Sequence, residues 1–111
     1  MKQWDIFWFE VPFSNFRGNK ERPVLIISPE EISESDCLVA IITSQQYSDV
    51  GDYWIDRDHA EFEQTGLPKP STIRLGKIVT ITRSLLGAPL GSAGPEIQKE
   101  IKDRLKYLFG L

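Results

Sequence analysis

Glu21-Arg22-Pro23-Val24-Leu25-Ile26-Ile27-Ser28 (ERPVLIIS) is the stretch from which the rest of the chain is read. Val24 to Ile27 is apolar enough for a buried strand, and Arg22 is the ionisable residue at its mouth. A guanidinium there is held by rigid backbone while still facing solvent. Its five fixed donors suit a phosphate or carboxylate better than a core. Ahead of it lies an aromatic and β-branched run, Trp4 to Val11 (WDIFWFEV), ending at Pro12. A turn-rich, basic loop, Phe13 to Glu21 (FSNFRGNKE), joins the two. The apolar residues of Trp4 to Val11 do not alternate cleanly, so both faces of that strand are expected to be covered.

Downstream, Leu38 to Thr43 reads as a second short buried strand, separated from ERPVLIIS by the acidic turn PEEISESD. Ser44 to Lys69 is polar, with Tyr53, Trp54 and Ile55 as a short strand, and the prolines of Gly66 to Pro70 require a loop. Ser71 to Arg83 (STIRLGKIVTITR) is the longest strand candidate. Gly76 in its middle predicts a bulge or bend, and Arg74 points away from Ile73 and Leu75. Only the C-terminal end reads as a helix, with Gly94 as N-cap, Pro95 at the first helical position and Gly110 as the stop. Ile97, Ile101, Leu105 and Leu108 form its apolar stripe. Five or more strands and one terminal helix predict a mainly β, small barrel-like domain with the helix as a lid.

The 111 residues suit one domain, 1–111, with a single modest core. The lone Cys37 excludes an intramolecular disulfide and fits a reducing cytoplasm; before the apolar run it reads as a small buried side chain rather than a nucleophile. No amino-terminal stretch resembles a signal peptide and no run is long enough to cross a bilayer, so a soluble cytoplasmic protein without a membrane partner is expected. The net charge of −3 argues at first against nucleic acid, but its distribution matters more. Ten acids and one base lie between Glu30 and Glu63, which leaves the remainder at a net +6. From Lys69 to Pro95 there are four bases and no acid. If the fold sets Arg17, Lys20 and Arg22 beside Arg74 and Lys77, a polyanion can bind despite the acidic pI; charges scattered over a solvated surface are the competing reading.

One histidine and one cysteine exclude a four-ligand zinc site of nitrogen and sulfur donors, and no cofactor motif is present. Asp56, Asp58, Glu61 and Glu63 read as a solvated loop face rather than a hard-cation site, and His59 as a surface residue rather than a general base. What remains is Arg22 opening one strand and Thr43-Ser44 closing the next, which antiparallel pairing brings together. Arg with a hydroxyl equips phosphodiester chemistry, because the guanidinium offsets developing phosphorane charge while the hydroxyl donates to a non-bridging oxygen. RNA carries its own nucleophile, so such a site needs no metal. On the residues alone a structural reading competes: an ion pair from Arg22 to Glu21 or Asp49, with Thr43 capping its strand.

The order WDIFWFEVPFSNFRGNKERPVLIIS, LVAIITS, GLPKPSTIRLGKIVTITRSLLG and a terminal helix ending in FGL resembles the MazF/PemK family of toxin endoribonucleases, over nearly the whole chain. That resemblance implies an SH3-like barrel with a C-terminal helix, acting as a homodimer. It also implies metal-independent cleavage of single-stranded RNA at short motifs, leaving a 2′,3′-cyclic phosphate and a 5′-hydroxyl, and a cognate antitoxin that blocks the RNA groove. By motif, Arg22 matches the catalytic arginine, Thr43 the threonine that holds the scissile phosphate, and Arg74 an arginine implicated in some members, with Ser44 beside Thr43 a further catalytic or RNA-binding candidate. The loop Ser14 to Glu21, with Arg17, Gly18, Lys20 and Glu21, matches the loop bordering the RNA and antitoxin groove. Gly76 stands where some members carry an aspartate general base, which leaves the base to Arg22, a water or a carboxylate such as Glu21. The ending Phe109-Gly110-Leu111 is loosely similar to the tail of CcdB, a gyrase poison of the same fold, and a catalytically silent binding module is the third class.

Overall fold

Pro23 decides where the central strands part. The computed structural model describes residues 2–11 and 20–111, and of Val11 and Lys20 only the backbone. Strand β2 (Lys20–Ile26) pairs along its length with β1 (Asp5–Val11), but with β3 (Asp36–Thr43) only at Val24, Leu25 and Ile26. Proline has no N–H to give a ladder, and the β2–β3 pairing stops beside it.

Four further elements follow: β4 (Asp52–Ile55), the one-turn α1 (Phe62–Thr65), the long β5 (Ser71–Thr82) and β6 (Leu86–Ser92), then α2 (Pro95–Phe109). Single 3₁₀ turns cover Glu30–Ile32 and Arg83–Leu85. The strands form one antiparallel sheet in the order β4-β5-β3-β2-β1-β6. This is the expected mainly β architecture with a C-terminal helix. It departs from a full barrel in one respect: β4 and β6 are the sheet's two edges and do not pair with each other.

The sheet buries both faces. Ile6, Leu25, Ala40, Ile42, Ile55 and Ile73 form one core with Ile97 and Ile101 of α2. Phe7, Phe9, Val24, Ile26, Cys37, Val39, Ile41 and Ile81 form the other. β1 thus contributes Ile6 to one side and Phe7 and Phe9 to the other, as its non-alternating sequence implied. On α2 burial fades along the stripe: Ile97 and Ile101 are fully buried, Leu105 half-buried and Leu108 exposed.

Gly76 does mark a bulge, and a large one. Ala40 pairs with Ile78 and Ile41 with Arg74, so Leu75, Gly76 and Lys77 are extra residues on β5. An odd insertion flips the strand over. Ile73 and Leu75 therefore face the α2 core while Ile81, of the same parity, joins the opposite one. The Leu75 N–H, released from the ladder, donates to the Gly51 carbonyl at 2.8 Å.

Helix α2 starts at Gly94 and Pro95 as expected, but its cap comes from elsewhere. The Glu61 carboxylate accepts from the backbone N–H groups of Glu96 and Ile97, both at 2.8 Å. That negative charge also meets the positive end of the helix dipole. Glu61→Ala is expected to lower stability by about 1–2 kcal/mol in denaturant melts; a change within 0.5 kcal/mol, roughly the surface-mutation range, would deny the cap its role. Gly110 ends the helix at φ 68, where its N–H and that of Leu111 close onto the last carbonyls.

Candidate active site

The register that stops at Val24 and Ile41, continued by two residues, sets Arg22 opposite Thr43. With no ladder there, the two side chains meet instead: Arg22 Nη1 donates to Thr43 Oγ1 at 3.2 Å. Both are half-buried. They share strand parity with Val24, Ile26, Val39 and Ile41, which puts them on the sheet face away from α2. Among the described residues no carboxylate lies within ion-pair distance of Arg22. The structural reading that paired it with Glu21 or Asp49 is thereby replaced, for Asp49 pairs with Arg74.

Two cavities share Arg22 and Thr43 as a common wall. One, of about 410 Å³, is completed by Ile41, Gln45, Tyr47, Arg74, Gly76, Lys77, Ile78 and Val79. The other, of about 280 Å³, runs past Trp8, Glu21, Pro23, Ser44, Lys69 and Ser71. The fold thus brings Arg22, Arg74 and Lys77 to one concavity and Ser44, Lys69 and Glu21 to its neighbour. Arg17 and Gly18, expected on the bordering loop, lie outside the described residues, as does the side chain of Lys20.

Arg74 reaches the site already neutralised. Its Nε donates to Asp52 Oδ1 at 3.0 Å and its Nη2 to Asp49 Oδ2 at 3.2 Å, while its guanidinium lies 3.7 Å from the centre of the Tyr47 ring. The Asp52 side chain is 1 % exposed, and its other oxygen accepts the Asp49 N–H. Arg74 is therefore a wall that holds Tyr47 in place as much as a source of charge. The sequence reading named neither Tyr47 nor Gln45. The signal available was the polar Ser44-Gln45-Gln46-Tyr47 run leaving the end of a buried strand.

Thr43 Oγ1 also accepts the Gln45 N–H at 3.3 Å, and Thr72 Oγ1 ties the loop down by donating to the Gln45 carbonyl and accepting the Tyr47 N–H. With two donors on its oxygen, the Thr43 hydroxyl keeps its own hydrogen to donate elsewhere.

His59 is no surface residue. Its side chain is 10 % exposed, and Nδ1 accepts the Glu61 N–H, so the neutral ring carries its proton on Nε2. Nε2 faces Tyr53 Oη at 2.9 Å and Glu96 Oε2 at 3.3 Å, at the start of α2 and outside both cavities. Burial, then Glu100 and Glu96, push the Tyr53 phenol up, which keeps it protonated. Cys37 is buried as expected; burial raises its thiol pKa against the opposing pull of Arg83, which suits packing rather than nucleophilic attack.

No helix among the described residues is long and apolar enough to cross a membrane. No curated protein matches the chain. Solved structures match its fold throughout. A Mycobacterium tuberculosis toxin, MazF-mt6, shares 22 % identity at a TM-score of 0.76, over 96 % of this chain and 97 % of that one. An endoribonuclease from a mycobacterial species, solved in complex with its cognate antitoxin, has 16 % identity and a TM-score of 0.77 over 100 % and 96 %. A chain of a MazE-MazF structure from Deinococcus radiodurans has 15 % identity and a TM-score of 0.76 over 100 % and 96 %. The sequence profile of the PemK-like, MazF-like toxins of type II toxin-antitoxin systems matches residues 2–109, and the chain belongs to that family.

Proposed function

We propose that the protein is a metal-independent endoribonuclease toxin that cuts single-stranded RNA at short sequence motifs, acts as a homodimer in the cytoplasm and is held in check by a cognate antitoxin. The observation that carries this reading is the Arg22–Thr43 pair: a guanidinium without a carboxylate partner among the described residues, bonded to a hydroxyl, on the wall between two cavities. A scissile phosphate on that wall has room for one nucleoside on each side. The 2′-oxygen attacks phosphorus, the bond to the 5′-oxygen breaks, and a 2′,3′-cyclic phosphate and a 5′-hydroxyl result. Arg22 balances the added negative charge and gives the departing 5′-oxygen its proton, which it regains from water, while Thr43 holds a non-bridging oxygen. Ser44 and Lys69 line the path of the backbone on one side, Lys77 on the other. The antitoxin and the second copy have apolar surface to meet, since Ile32, Leu85, Phe109 and Leu111 are all exposed.

The 2′-hydroxyl proton needs an acceptor, and Glu21 is the one carboxylate among the described residues lining either cavity. Gly76 lines the larger cavity, and a Cβ there would meet nothing within 4 Å. Gly76→Asp is therefore expected to fold normally and to raise the cleavage rate at neutral pH by at least about tenfold, measured on a fixed RNA under single-turnover conditions. An unchanged rate would mean that proton removal is not what limits this chain. The reading as a whole is tested with purified protein on a long single-stranded RNA in EDTA. Cleavage that persists in chelator and yields cyclic phosphate ends supports it. Intact RNA, alongside trapped gyrase–DNA complexes, would sink it in favour of the gyrase poison.

A further inference from the structure

Hydrogen-bond donors predominate on the rim of the larger cavity. The Tyr47 hydroxyl donates to Gln45 Oε1 at 2.8 Å, which turns the Gln45 amide so that its Nε2 is left over. Among the described residues nothing accepts from that Nε2, and Lys77 has no carboxylate within ion-pair distance. Thr43 Oγ1, already accepting from Arg22 and from the Gln45 N–H, has only its hydrogen to offer. Among the described residues no carboxylate lines the cavity. Donors therefore predominate among the side chains lining it: the Gln45 amide, the Lys77 ammonium, and the Arg22 and Thr43 groups assigned to the phosphate, against the spare lone pairs of Gln45 Oε1 and Tyr47 Oη, which already engage each other. Ile78 and Val79 supply an apolar wall, and the exposed Tyr47 ring, fixed on one side by Arg74, offers a surface for stacking.

A nucleobase lodged there meets donors at its polar edge. Uracil and guanine carry carbonyl acceptors at the position where cytosine and adenine carry an amino donor. An amino group facing the Gln45 and Lys77 donors would lose its water without gaining a partner, whereas a carbonyl gains one or two. We infer that the cavity walled by Gln45, Tyr47 and Lys77 reads a keto base, uracil or guanine, on one side of the scissile phosphate, with Gln45 as the residue that sets the choice. This rests on the RNA-cleaving reading of the same site and adds the class of base that it selects.

The test measures binding and cutting separately. Fluorescent 2′-O-methyl octamers of uridine and of cytidine lack the nucleophile, so their affinities for the purified full-length protein report recognition alone. The wild type should bind the uridine octamer about tenfold more tightly. Gln45→Glu puts an acceptor where the donor was while still receiving the Tyr47 hydroxyl, and should reverse the ratio. Gln45→Ala, which removes the donor without adding charge, should bring the ratio close to one. Mapping of cut sites on a long RNA should show uridine or guanosine enriched at one of the two nucleotides flanking the cut. Equal affinities for the two octamers in the wild type would overturn the inference. So would a ratio unmoved by either substitution, or equal losses for both octamers in Gln45→Glu. Cleavage without a keto preference would defeat the base assignment and leave the nuclease reading standing. A keto preference that responds to Gln45, in a protein that cuts no RNA, would do the reverse.

Discussion

Arg22→Ala is expected to lower RNA cleavage by at least about 10²-fold while the protein stays folded. The size follows from what the guanidinium does. It is the charged donor on the wall shared by the two cavities, and among the described residues no carboxylate balances it in advance. Its full charge is free to meet the charge that grows on phosphorus. Because Arg22 is half-buried and its bond is to a neutral hydroxyl, its removal strands no buried charge, and stability should change by about 1 kcal/mol or less. Arg22→Lys should recover only part of the rate, since an ammonium lacks the fork that can hold Thr43 and a phosphate oxygen together. Single-turnover rates on one RNA, with thermal melts of each variant, decide the matter. A loss in Arg22→Ala confined to substrate affinity, with an unchanged rate at saturation, would move Arg22 from catalysis to binding.

Asp52→Ala should produce the largest loss of stability among these variants, about 3–5 kcal/mol. Asp52 is an acid whose side chain is almost wholly out of water, and that side chain serves two partners at once. One oxygen receives Arg74 Nε and the other receives the Asp49 N–H. Removal of the side chain leaves Arg74, 16 % exposed, with only the solvent-facing Asp49. An ion pair at the surface would be worth less than about 1 kcal/mol, so the measurement separates the two descriptions cleanly. A fall in Tm of roughly 10–20 °C is expected for a domain of this size. The loss should shrink in an Arg74→Met background, where no charge is left uncompensated. Arg74 also fixes Tyr47, so weaker RNA binding should accompany the lower Tm.

Much of this was legible in the chain. β1, β2, β3 and β5 announce themselves through β-branched and aromatic runs, and α2 through its spacing, its proline and its closing glycine. β6 was not legible, because Leu86-Gly87-Ala88-Pro89-Leu90-Gly91-Ser92 contains the residues that ordinarily break strands. It survives as a strand because it is an edge, paired only with β1 and through two register shifts. α1 is a single turn, too short for any periodicity, and is fixed from outside by close packing. Gly91 shows this: a Cβ there would lie 2.3 Å from the Gln64 carbonyl oxygen. The bulge at Gly76 could be anticipated, but its length could not, and its length is what turns Ile81 to the opposite core.

The site divides in the same way. Arg22 and Thr43 were nameable from sequence because each sits at the end of a recognisable strand, and antiparallel pairing needs only local pattern to bring such ends together. Pro23, written in the chain, is the reason those ends are free of a ladder. The partners of Arg74 were beyond reach. Asp49 and Asp52 lie more than twenty residues away in a segment whose acids look alike, and only the β4–β5 register selects these two to neutralise an arginine that reads as free. His59 was hidden for a related reason, since its burial depends on α2 closing over it. Propensity and alternation act over a few residues, and they set which strands exist and which side chains end them. Charge compensation, burial and the donor-rich rim of a cavity depend on residues that meet only once the chain is folded.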